Sequence, residues 1–200
     1  MTFEKRRLRV VGAGGTLREG SASLGALKRA LAAAEEAGAE TELLDLPMYE
    51  PGRELEEYGP NVGRLVKGLR GADSVPISTA AYHGTLAGVT KNALDFAQFL
   101  SGGDHPYFDR KVVGLISTAA GEQASPNANG AMGHVAHALR GLVAPLEVSI
   151  PRAWRRFDGE GNINDEPYGR RLDNLGEMVV ELAVGLPARD EKAGLAGVAG

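Results

Sequence analysis

A chain of 200 residues, 43% hydrophobic and 24% charged, holds enough apolar material for one domain with a sizeable core. Its net charge of −4, from 22 basic and 26 acidic residues, leaves no basic excess for general nucleic-acid binding. The absence of cysteine excludes disulfides, thiolate metal sites and cysteine nucleophiles, and it suits a cytoplasmic protein. The first residues, MTFEKRRLRVVGAGG, are basic. The apolar run behind them is too short for a signal peptide or a membrane span, so no membrane partner is expected.

Short apolar runs alternate with longer helical patterns. Residues 8–13 (LRVVGA) read as a buried strand. Residues 21–38 read as a helix, with Leu24, Leu27 and Leu31 at helical spacing and Gly38 as its stop. A second strand is predicted at 41–46 and a second helix at 61–69, where Val62, Leu65, Val66 and Leu69 form a stripe. A third strand is expected at 74–78, although Pro76 is poorly placed there, since proline donates no ladder hydrogen bond. Residues 85–100 are predicted helical, 111–117 a fourth strand, 128–142 a helix, 146–150 a fifth strand and 168–184 a closing helix. Residues 1–186 are read as a single domain. Residues 187–200, rich in alanine and glycine without apolar periodicity, are expected to be a disordered tail.

Five strand–helix units imply right-handed crossovers and an α/β sandwich of three layers, a parallel sheet between two layers of helices. The expected arrangement is a flavodoxin-like, doubly wound five-stranded sheet in the order 2-1-3-4-5; the pattern alone also accommodates a Rossmann order. Three connections look long: residues 14–20, 79–84 and 118–127. They follow strands 1, 3 and 4, whose C-terminal ends meet where such sheets bind ligands.

The first of these, GAGGTLREGSAS, fails two familiar patterns. A G-x-G-x-x-G fingerprint needs glycine where Leu17 stands, and a phosphate loop of the Gly-Lys-Ser/Thr kind needs a lysine. It does offer the Thr16, Ser21 and Ser23 hydroxyls, Arg18 and a helix N-terminus, a set suited to one terminal phosphate. The plainer reading is a glycine-rich turn with Ser21 as an ordinary N-cap. Tyr82-His83-Gly84 could line a flat ring or be surface packing. Lys91 and Asp95 are an i,i+4 helix pair, and Asn92 is expected to help this helix meet a partner subunit. His134 and His137 lack further ligands in sequence, so no metal site is expected. Residues 158–166 have calcium-loop composition without its glycine and glutamate spacing, and a turn or hairpin is expected instead.

GTLREGSAS, AYHGTLAGVTKNALDF and GLISTAAG, in this order after strands 1, 3 and 4, resemble the NADPH-dependent FMN reductase family, relatives of flavodoxin that include quinone, azo-dye and chromate reductases. The resemblance spans residues 8–184. It implies that Thr16, Arg18, Ser21 and Ser23 surround the FMN phosphate. It implies that Ala81, Tyr82, His83 and Gly84 lie along the isoalloxazine, and that Thr118, Ala119, Ala120 and Gly121 offer backbone donors to its pyrimidine end. It also implies a homodimer or homotetramer, with the helix of Lys91 near the subunit contact. Where relatives carry proline before the loop tyrosine, this chain has Thr79-Ala80-Ala81.

The function so implied is an FMN-dependent oxidoreductase that takes hydride from NADPH or NADH and passes electrons to a second small-molecule acceptor, with no side-chain catalytic residue required. A quinone or azo reductase on the same scaffold is the alternative within enzymes. A flavodoxin-type electron carrier is the alternative outside them, and its usual strong acidity does not match a charge of −4.

Overall fold

The computed structural model describes residues 8–15, 21–43 and 47–186. The expected tail at 187–200 and residues 44–46 of the expected second strand lie outside them.

The chain runs β1 (Arg9–Gly15), α1 (Ala22–Glu36), β2 (Glu40–Leu43), α2 (Pro60–Gly71), β3 (Ile77–Tyr82), β4 (Thr85–Leu86), α3 (Gly88–Asp95), β5 (Val112–Thr118), α4 (Ala124–Ala138), β6 (Leu142–Ile150) and α5 (Glu166–Gly185). The sheet pairs in the order β2-β1-β3-β5-β6, all parallel, and the short β4 pairs antiparallel with β3. It therefore has six strands, not the expected five. The sixth arises because β3 runs on to Tyr82 and turns back on itself.

Strand β5 shows how the sequence builds the layers. All seven of its residues are buried, as expected of a strand covered on both faces. Val112 and Ile116 join the core beneath α1 and α5, together with Val10, Leu27, Leu31, Leu172, Leu175 and Val179. Val113 and Leu115 face the opposite core, with Val62, Leu65, Leu69, Phe96 and Met132. The alternation is the two-residue period of a strand. Each such large apolar side chain, fully buried, contributes about 1.5–3 kcal/mol.

The helices begin and end as their residues dictate. Ser21 caps α1, its hydroxyl accepting from the Leu24 N–H at 3.1 Å, and Gly38 at φ +96° ends it with a conformation other residues resist. Pro60 opens α2, where its missing N–H costs nothing, and Asp165 caps α5. Helices α1 and α5 cross closely at small residues: a Cβ on Gly176 would stand 2.4 Å from the Ala30 carbonyl oxygen and 2.7 Å from the Ala33 Cβ.

Several boundaries differ from expectation for physical reasons. The residue Pro76 lies before β3 and not inside it. Ser74 makes isolated bridges to Val10 and Val112, the Val75 N–H donates to the Val112 carbonyl at 2.8 Å, and the regular ladder starts at Ile77. The expected helix at 85–100 divides into β4, α3 and a 3-10 turn from Phe96 to Leu100. Helix α4 starts at Ala124, earlier than expected, and gives way to β6 at Leu142. Strand β6 carries two extra residues against β5, since Val113 pairs with Val143 but Leu115 with Glu147. Pro145 falls within that bulge, a position where proline's missing donor is tolerated.

Candidate functional site

Parallel pairing brings the C-terminal ends of β1, β3 and β5 side by side: Gly15 pairs with Thr79, Thr79 with Ser117, and Ala80 with Thr118. The three sequence segments singled out above therefore emerge at one edge of the sheet. Thr16 and Arg18 lie outside the described residues. Ser21 and Ser23 stand at the N-terminus of α1.

The first turn of α1 is tied to β3. The Ser78 hydroxyl donates to the Ser23 carbonyl at 2.7 Å, and Ser78 is fully buried. The Ser23 side chain is also buried, yet its Oγ has no hydrogen-bond partner among the described residues. A buried hydroxyl left unpaired is costly, and at a helix N-terminus it faces a region that favours an anion. That orphan atom is a signal sequence reading cannot supply, because it depends on what does not contact Ser23.

The second segment is a tight hairpin, not the expected loop. Tyr82 pairs with Thr85, leaving His83 and Gly84 as a two-residue turn with φ +50° and +82°. Positive φ at both central positions is the demand of a type I′ turn, which matches the twist of the flanking strands. Thr79 fixes the return: its Oγ1 accepts from the Ala87 N–H at 2.9 Å, at the N-cap of α3. Ala81 is half-buried at the tip of β3, and Tyr82 is 56% exposed. The hairpin thus presents an aromatic side chain and a short, rigid backbone at the sheet edge.

The third segment is shorter than expected, spanning only residues 119–123 between β5 and α4. Ala119 is committed to structure: its N–H donates to the Ile150 carbonyl at 3.1 Å and its carbonyl accepts from the Ala153 N–H at 2.9 Å. Thr118 closes β5 against Ala80 and Ile150. The exposed backbone of Ala120 and Gly121 carries no hydrogen bond among the described residues, and nothing lies within 4 Å of a Cβ built on Gly121. Ser125, which sequence reading passed over, anchors the segment. It is fully buried, donates to the Ser117 carbonyl at 2.9 Å and accepts from the Ile150 N–H at 3.0 Å.

Asn92 is tied within its own chain. It is buried, its Oδ1 accepting from the Tyr49 N–H and its Nδ2 donating to the Pro47 carbonyl, both at 2.7 Å. It pins the segment after β2 to α3 within the same chain. Lys91 and Asp95 form their ion pair on the exposed side of α3. His134 and His137 are both exposed on α4. Residues 158–163 form a hairpin turn, with Phe157 bridged to Ile163 and the Asp158 carboxylate accepting from Asn162 and Glu160. The Asn162 side chain and backbone hold that carboxyl below its ordinary range. A groove of about 560 Å³ runs beside α1 from Ser21 to Glu36, bounded by this hairpin and by the Arg29–Asp173 ion pair. It begins at Ser21, the N-cap of α1, and follows the flank of that helix.

The N-terminus of α1, with a buried hydroxyl that is unpaired among the described residues, the aromatic β3–β4 hairpin and the small-residue 119–123 loop stand together at one edge of the sheet. The doubly wound parallel sheet with helices on both faces is that of the flavodoxin-like class. Solved structures agree on the fold. The Paracoccus denitrificans NAD(P)H:acceptor flavoenzyme superposes with TM-score 0.68 at 22% identity, covering 89% of this chain and 98% of that one. An archaeal flavodoxin gives TM-score 0.61 at 7% identity, covering 88% and 99%.

The sequence profile of the NADPH-dependent FMN reductases matches residues 8–155, and the chain belongs to that family. It is 31% identical to an NAD(P)H-dependent FMN reductase of Pseudomonas aeruginosa, over 80% of this chain and 86% of the relative. It is 25% identical to an FMN-dependent NADPH-azoreductase of Staphylococcus aureus, over 66% and 68%. The protein is thus an FMN-dependent NAD(P)H oxidoreductase.

Proposed function

We propose that this protein binds FMN at the ends of β1, β3 and β5, oxidises NADPH or NADH, and delivers electrons to a small diffusible acceptor such as a free flavin, a quinone or an azo compound. The observation that carries the reading is the buried Ser23 Oγ, without a partner among the described residues, at the N-terminus of α1, beside the β3 hairpin and the 119–123 loop. FMN supplies the hydride and electron chemistry when bound. The chain's own residues bind and orient. Thr16, Arg18, Ser21 and Ser23 hold the phosphate, with the helix N-terminus favouring its charge. Ala81, Tyr82, His83 and Gly84 lie along the ring, and Thr118, Ala119, Ala120 and Gly121 form the wall at its pyrimidine end. Within that wall Ala120 and Gly121 donate N–H groups, while Thr118 and Ala119 keep the segment in place. No side chain is assigned a catalytic role.

In this reading residues 1–186 form the working domain, and its parallel core is a five-stranded sheet in the order 2-1-3-4-5 with β4 as an addition; the pairing of β2-β1-β3-β5-β6 supports it. The protein acts in the cytoplasm as a homodimer or homotetramer, without nucleic-acid or membrane partners. No helix among the described residues is long and apolar enough to cross a membrane.

A flavodoxin-type carrier is the second reading, favoured by the shared fold alone. Steady NADPH oxidation with excess acceptor separates the two. The enzyme turns over many equivalents of NADPH per protein, and a carrier oxidises almost none.

A further inference from the structure

We propose that Trp154 and Arg155 form the platform that recognises the adenosine 2′-phosphate end of NADPH and so sets the preference for NADPH over NADH. The inference rests on the NAD(P)H reading above and adds a site to it.

The segment Pro151-Arg152-Ala153-Trp154-Arg155-Arg156 follows β6 and is docked on the candidate site. The Ala153 N–H donates to the Ala119 carbonyl at 2.9 Å, and Arg152 reaches Glu122 in the same loop at 2.6 Å. Ala153 and Phe157 are buried, and the Arg155 and Arg156 N–H groups close a 3-10 turn between them. This anchored turn carries Trp154 with 67% of its surface exposed. An indole held on a fixed turn and left in water offers a stacking face for a planar ring.

Three arginines lie close together here, and their charges are used differently. Arg152 is paired with Glu122. Arg156 is paired with Asp165, donates to the Pro151 carbonyl at 2.8 Å and covers the Tyr168 ring. The Arg155 guanidinium has no carboxylate partner among the described residues and lies 4.6 Å over the Trp154 ring. Among the described residues it is thus the one member of the three without a carboxylate partner. A π-face and a guanidinium without a carboxylate partner among the described residues together match an adenine ring with a phosphate on its ribose. Arginine is the side chain suited to planar, bidentate phosphate contact. A nicotinamide dinucleotide without the 2′-phosphate would keep the stacking contact and lose the charged one.

The test uses the FMN-loaded protein and its Arg155→Gln and Trp154→Ala variants, with adenosine 2′,5′-bisphosphate and 5′-AMP as probes in calorimetric titrations. Wild type is expected to bind the bisphosphate more tightly than 5′-AMP. Arg155→Gln should weaken the bisphosphate about tenfold, the scale of one lost hydrogen-bonded charge contact, and leave 5′-AMP within about twofold. Trp154→Ala should weaken both probes. The KM for NADPH should rise in Arg155→Gln while that for NADH stays level. Equal affinities for the two probes in wild type, or a bisphosphate affinity unchanged in Arg155→Gln, would overturn the proposal. So would a change confined to the KM of an anionic aromatic acceptor. FMN binding is measured on the same samples. Its loss in wild type counts against the cofactor reading, whereas intact FMN binding without 2′-phosphate discrimination counts against the platform alone.

Discussion

Ser23 Oγ is buried without a partner among the described residues, a condition that costs about 1–3 kcal/mol for a polar group. A phosphate oxygen would relieve it. Ser23→Ala should therefore leave the stability of the FMN-free protein unchanged or slightly higher, because alanine is also the better helix residue. The same variant should weaken FMN binding about tenfold, the loss of one hydrogen bond to a charged group. Parallel chemical denaturation and FMN titration check this, and a variant that loses stability but keeps FMN affinity contradicts the assignment. The roles of Ser21 and Ser23 differ in how visible they are in sequence. Ser21 was legible as an N-cap because capping is local, three residues from its donor. The intrachain role of Asn92 was not legible, because its partners, Pro47 and Tyr49, are distant in sequence and nothing in the helical pattern points to them.

At the scale of elements, the β3–β4 hairpin is the feature the sequence disguised. Tyr-His-Gly before an amphipathic stretch suggested a loop feeding a helix. His83 and Gly84 instead supply the two positive φ angles of a type I′ turn, and Thr85-Leu86 becomes a strand. His83→Asn should keep the turn, since asparagine accepts left-handed backbone well. Gly84→Val should destabilise it and lower FMN affinity together, measured by thermal unfolding and by flavin titration. Unaltered stability in Gly84→Val would contradict the turn assignment. The α1–α5 contact makes a second prediction. Gly176→Leu has no room against Ala30 and Ala33, and overpacking of this kind should cost about 1–3 kcal/mol in denaturant unfolding. The 158–163 hairpin makes a third. Asp158 is held below its ordinary range, first by Asn162, so its support for the hairpin is present above the ordinary aspartate pKa of about 3.9. That support is lost as pH falls through the lowered value. The Asp158 carboxyl should titrate below about 3.9 by NMR, and Asn162→Ala should move it back up. A midpoint at the ordinary value in wild type contradicts the anchoring described here.

For the molecule as a whole, the doubly wound plan was legible because its signals are periodic: α1, α2 and α5 repeat apolar residues at helical spacing, and β5 is a continuous apolar run. Strand limits were less so. Pro76 suggested a broken third strand, but the chain places it between the Ser74 bridges and the start of β3, where no proline N–H is needed. The convergence of three segments at one sheet edge followed from parallel topology, while the buried Ser23 hydroxyl, the fixing bonds of Ser125 and the exposed Trp154 depend on tertiary contacts. The central claim is that this edge holds FMN and reduces it from NAD(P)H. The most direct measurement is an absorbance titration of the FMN-free protein with FMN, followed by NADPH under anaerobic conditions and then an acceptor. Saturable binding, bleaching of the bound flavin by NADPH and recovery of its colour on adding a quinone are the predicted result. No saturable binding, or bound flavin that NADPH and NADH both leave oxidised, would contradict the account.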